Sequence, residues 1–168
     1  MKFIYSFFIL ILLSSNLFAA GGESSGSGTS GGGEDVSKSN YKQAVSLIKR
    51  AGKLEKKDKI DKAKKLYSQA FQKLEKAHKS DKKNPDILNY MGFTTRKVGN
   101  FDQAEKYYLK GLSFKPNHNG INEYLGELYV QTNRIDKANE RLEVLKTCNC
   151  KEYQELELII KTRGTKIY

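Results

Sequence analysis

Tryptophan is absent from this chain of 168 residues, and proline, cysteine and histidine occur only twice each. Each scarcity excludes something. With two prolines and 29% charged residues, the part able to fold reads as helical and solvated. The cysteines, Cys148 and Cys150, stand two apart near the end of the chain. They can form a small strained ring, remain free thiols or link to another chain, and only geometry decides among these. A redox motif would want C-x-x-C at a helix start. A zinc site would want four ligands, whereas His78 and His118 lie far from the cysteines in sequence, so no metal and no cofactor are expected. The chain also lacks H-E-x-x-H, G-x-S-x-G, a phosphate loop and any Cys–His pair with an orienting residue. Its length excludes a two-domain enzyme, and no enzymatic activity is expected.

The longest apolar run is short and sits at the start. Lys2 precedes an uncharged apolar stretch at residues 3–13, followed by Ser14-Ser15-Asn16-Leu17-Phe18-Ala19-Ala20. This is the order of a secretory signal peptide, residues 1–19, with cleavage after Ala19. A retained anchor is the other reading, since Leu17 is larger than the small residue an A-x-A site prefers. Eleven apolar residues are too few for a comfortable span, and no later segment approaches the roughly 20 residues a membrane helix needs. The expectation is an exported protein, periplasmic or secreted, with no transmembrane segment after cleavage.

Residues 20–37 are rich in glycine and serine and read as a flexible linker. Beyond it, apolar residues recur at helical spacing. Tyr41, Ala44, Ile48 and Ala51 share one face of a first helix ending near Gly52. Ile60, Ala63, Tyr67, Ala70, Leu74 and Ala77 mark a second helix running to about Ser80, and the polar turn Lys56-Lys57-Asp58 joins the two as a hairpin over residues 38–84. Shorter helices follow, separated by Gly99-Asn100, Lys115-Pro116-Asn117 and Asn133-Arg134.

Those shorter helices repeat with a period of 34 residues: Ala70, Ala104 and Ala138 align, as do Leu74, Tyr108 and Leu142. Tyr90-Met91-Gly92 aligns with Tyr124-Leu125-Gly126. On these residues the chain resembles the tetratricopeptide repeat (TPR) family. Residues 85–118 match at Leu88, Met91, Gly92, Ala104, Tyr108, Gly111 and Pro116, and residues 119–152 at Leu125, Gly126, Tyr129, Ala138 and Leu142. Asn122 departs from the usual large aromatic, Thr95 from Tyr, and Cys150 from Pro. Asp61-Lys62-Ala63 repeats the start Asp102-Gln103-Ala104, but 41 residues earlier rather than 34. The excess of seven is two helical turns, which keeps the apolar face aligned and predicts a lengthened second helix in an atypical first hairpin. Tyr153, Leu156, Ile159 and Ile160 form the stripe of a C-terminal capping helix within residues 153–168, with Asn149 and Glu152 placed to cap its start.

The resemblance implies an all-α, right-handed solenoid of about three hairpins and a concave groove that binds protein segments. By the family's pattern the groove holds Asp86, Asn89, Phe93, Arg96 and Lys97 from one unit and Glu123, Glu127, Val130 and Gln131 from the next. Glu123 and Glu127, one turn apart, would suit a basic segment of a partner, and reversing both to Lys should damage binding. Phe93 and Tyr90 are candidates for peptide contact, against the more common role of helical aromatics in a core.

Charge is unevenly distributed. Between residues 38 and 83 there are 16 Lys and Arg against five Asp and Glu, and 15 of the 16 are Lys. An alternative function follows from Lys56, Lys57, Lys59, Lys62, Lys64 and Lys65: a basic surface that associates with an anionic envelope surface. Nucleic acid is not expected, because the chain reads as exported and Arg is nearly absent from this hairpin. The principal expectation is a non-enzymatic adaptor of the cell envelope with a protein or peptide partner.

Overall fold

The computed structural model describes residues 32–164. The signal peptide and the first part of the linker lie outside them. Among the described residues there are seven α-helices: α1 Gly32–Glu55, α2 Ile60–Ser80, α3 Pro85–Lys97, α4 Phe101–Phe114, α5 Asn119–Gln131, α6 Ile135–Leu145 and α7 Lys151–Lys161. Helix α2 has the bounds read from its periodicity, and at 21 residues it exceeds α4, at 14, by the expected seven.

Helix α1 is longer than the sequence suggests, and the linker reading over residues 32–37 is corrected. Ser37 is buried, and its hydroxyl donates to the Ala77 carbonyl at 3.1 Å, tying the start of α1 to the end of α2. A 21-residue α2 offers a partner helix packing surface along its whole length. Tertiary contact thus extends a helix into residues whose composition alone reads as loose. Ala44, Ile48 and Ala51 meet Ala63, Ala70 and Ala77, all buried, so small side chains set the close approach of the two helices.

Turn chemistry separates the later helices. Asn84 caps α3 by accepting from the backbone N–H groups of Asp86 and Ile87, and Asn100 caps α4 by accepting from that of Gln103. At α7 the cap expectation is corrected. Asn149 takes a left-handed φ of 46°, Cys150 occupies the N-cap, and no side chain caps the helix. Cys148 and Cys150 are joined by a disulfide across this turn. The cap helix therefore starts at Lys151, two residues before the boundary read from its stripe.

Glycine decides spacing at two crossings. A Cβ on Gly92 would stand 2.5 Å from the Tyr108 ring, and one on Gly126 would stand 2.5 Å from Leu156. Both helices can approach this closely only because no side chain intervenes. The departures from the family pattern also find local explanations. Asn122 is buried and donates to the carbonyls of Pro116 and His118, holding the α4–α5 turn. Thr95 leaves a hollow of about 440 Å³ between α2, α3 and α4, whereas Tyr129, one period later, is buried with its hydroxyl on Glu105.

Candidate functional site

The odd-numbered helices together form one face. Ile48 and Glu55 from α1, Phe93, Arg96 and Lys97 from α3, Tyr124 and Glu127 from α5, and Glu155 from α7 line a cleft of about 290 Å³. A more polar hollow of about 410 Å³, bordered by Tyr41, Asp86, Asn89, Tyr90, His118 and Glu152, shares Glu123, Tyr124 and Lys151 with that cleft.

Aromatic rings run along the floor. Tyr67 meets Phe93 at 5.8 Å between centroids, Phe93 meets Tyr124 at 5.0 Å, and Tyr41 meets Tyr90 at 5.8 Å. Tyr41, Tyr90, Phe93 and Tyr124 are each half-buried, packed on one side and open to the cleft on the other. Burial, then the neighbouring Glu123 and Glu127 charges, push the Tyr124 phenol well above its usual range. Phe93 and Tyr90 were legible from the sequence. Tyr124 had a signal in its 34-residue offset from Tyr90, while Tyr41 and the α7 carboxylates had none that the repeat pattern carries.

The expected groove residues differ in where the structure places them. Val130 is corrected: it is buried in the core with Tyr129 and Ala138, because its side chain turns into the helix packing. Arg96 and Glu127 form an ion pair at 2.6 Å with side chains 2% and 6% exposed. Arg96 also lies 5.6 Å from the Phe93 centroid and 5.8 Å from that of Tyr124, and donates to Gln131 at 3.2 Å. Glu127 is thus engaged within the protein, which removes it from the pair of carboxylates expected to meet a basic partner. Lys97 pairs with Glu55 at 2.9 Å, and Glu55 also accepts from the Tyr67 hydroxyl at 2.7 Å. Asp86 lies at the rim, 2.9 Å from His118 Nε2, and His118 Nδ1 accepts from the Ile121 N–H at the start of α5. Asn89 and Glu123 are buried on the groove wall.

Glu123 has the most displaced carboxyl in the cleft. Burial first, then a hydrogen bond with Glu155 and the charges of Glu127, Glu155 and Glu152, push it up to about 10. A carboxyl that is neutral when folded and ionised when unfolded lowers stability progressively as pH rises from its unfolded value toward its folded one. Glu123→Gln removes that dependence. The melting temperature of the Gln variant relative to wild type should therefore climb steadily between about pH 5 and about pH 9. Calorimetry giving a constant offset across that range would contradict a neutral Glu123.

The basic surface of the first hairpin is open. Lys56, Lys57, Lys59, Lys62, Lys64 and Lys65 are all exposed, and none makes an ion pair among the described residues.

Comparison with known proteins bears on the fold. A tetratricopeptide repeat family model matches residues 91–118. An uncharacterized protein of Guillardia theta, ycf37, is 33% identical over 90 residues, covering 50% of this chain and 51% of that protein. The crystal structure of a thermophilic TPR protein from Thermus thermophilus superposes with a TM-score of 0.52 at 20% identity, over 61% of this chain and 52% of that one. The Yersinia enterocolitica type III secretion chaperone SycD, solved with a peptide of the translocator YopD, has a TM-score of 0.45 at 16% identity, over 71% of this chain and 87% of that one. The chain thus spans about half the length of the curated relative it matches. At 20% identity the likeness to the Thermus protein is one of fold, and the fold is a TPR-like α-solenoid.

Proposed function

We propose that this protein is a non-enzymatic adaptor that holds a segment of a protein partner along the face made by α1, α3, α5 and α7. The observation carrying this reading is the row of half-open aromatic rings, Tyr41, Tyr90, Phe93 and Tyr124, on the floor of a continuous cleft. Such rings offer apolar area with little conformational entropy to lose, and an extended or helical segment can bury its side chains against them. The paired charges Arg96–Glu127 and Lys97–Glu55 hold the rings in place. The adaptor would act in the cell envelope, a location that rests on the signal-like residues 1–19.

A second reading is favoured by the six exposed lysines that make no ion pair among the described residues: the hairpin end of α1 and α2 associates with an anionic surface. One experiment separates the two. The full chain, its Tyr124→Ala variant and a Lys56, Lys57, Lys59→Glu variant would be used to capture proteins from envelope extract at low and high salt. The groove reading expects a discrete partner retained at high salt and lost with Tyr124→Ala alone. Salt-labile, heterogeneous retention lost only with the lysine reversals would replace it with the surface reading.

A further inference from the structure

Two of the cations at the α5–α7 end of the groove are already matched, while the exposed Lys115 borders the polar hollow without an ion pair among the described residues. Arg96 is on Glu127, and Lys151 reaches Glu155 at 3.9 Å. Two carboxyls there, Glu123 and Glu152, make no ion pair among the described residues. Glu123 is 4% exposed and lines the cleft together with a second carboxyl, Glu155. On α3, bordering the same polar hollow, Asn89 is 6% exposed, and its Oδ1 has no hydrogen-bond partner.

These observations are independent of one another and share a sense. A buried carboxyl without a cation and a buried amide oxygen without a donor both have acceptor capacity that N–H groups would fill. Leaving such acceptors buried is costly, and a charged donor satisfies them best. Among the described residues no group of His, Cys, Asp or Glu is placed to hold a metal ion. A donor on a flexible stem, entering along an aromatic floor, fits the hollow instead.

We infer that the hollow between α3, α5 and α7 is a slot for one lysine or arginine side chain of the bound segment, whose N–H groups are accepted by Glu123, Glu152 and Asn89 Oδ1. This rests on the groove reading above and adds the chemistry its partner must carry. Glu123 passes its proton to solvent as the cation enters and becomes the counter-charge. Lys151, exposed, bordering the hollow and 3.9 Å from Glu155, is a resident cation that the incoming one must displace from the carboxyl cluster.

The test is selection of a phage-displayed random peptide library on the full chain and on its Glu123→Gln and Glu152→Gln variants, each first checked by its thermal melt. The slot predicts that peptides retained by wild type are enriched in Lys or Arg at one position, with the enrichment lost on Glu123→Gln and weakened on Glu152→Gln. Replacing the selected Lys by norleucine should then weaken binding at least about tenfold on wild type and hardly at all on Glu123→Gln. Retained peptides without basic enrichment, or with the same enrichment on both variants, would overturn the slot while leaving the groove intact. A library from which nothing is retained would overturn both.

Discussion

Glu127→Ala is expected to lower unfolding stability by about 3–5 kcal/mol, the cost of leaving a buried charge without its partner. The ion pair with Arg96 is 2.6 Å long and almost wholly removed from solvent. Without Glu127, the guanidinium stays enclosed by Phe93 and Tyr124, with the neutral Gln131 amide as its side-chain acceptor. Removing both partners has a different expected result. Arg96→Met with Glu127→Leu fills similar volume without a charge to desolvate, and its stability from urea unfolding should return to within about 1 kcal/mol of wild type or exceed it. If Glu127→Ala cost less than about 1 kcal/mol in the same titration, Arg96 would have to find water, and the closed pair described above would be wrong. The consequence for function is direct. Reversing Glu127 to Lys, attractive from the sequence as a probe of partner binding, sets two cations together inside the protein and reports folding, so Tyr124 and Glu123 are the better probes.

Leu156→Ala is expected to cost about 2–5 kcal/mol and to release α7 from the end of the solenoid. Leu156 is fully buried, and its methyl groups occupy the notch that Gly126 leaves in α5. Truncation leaves a void that alanine cannot fill, because the glycine opposite offers no side chain to collapse into it. Ile159, buried in the same core as Leu125 and Leu128, would lose its support. Uncovered solenoid ends pair with copies of themselves, so sedimentation velocity should register concentration-dependent self-association of the variant. A variant that stayed monomeric and melted within a few degrees of wild type would show that α7 is not the cap of this fold. The same substitution removes Glu152 and Glu155 from the groove, so peptide retention should fall along with stability.

Much of this is legible in the sequence. Ala63, Ala70 and Ala77 carry the spacing that sets the α1–α2 crossing, and the seven-residue excess before Asp102 appears as the two additional turns of α2. Gly92 and Gly126 stood out as matched positions of the repeat, and the structure makes them points of close helix approach. What the pattern misplaced lies where local and tertiary preferences conflict. Residues 32–37 have the composition of a linker yet extend α1, because Ser37 finds a carbonyl 40 positions away. Val130 falls on a groove position by register and in the core by packing.

Spacing along the chain was enough to specify the apolar faces of the helices, their 34-residue repeat and the residues at the crossings, because these follow from regular steps along the sequence. Which charges meet was settled by packing in three dimensions. Arg96 and Glu127 are 31 residues apart, Lys97 and Glu55 are 42 apart, and Glu123 and Glu155 are 32 apart. Whether a carboxylate faces water, a guanidinium or another acid depends on the burial and neighbours that packing supplies, and with them it changes from an exposed binding charge to an internal tie or a neutral acid.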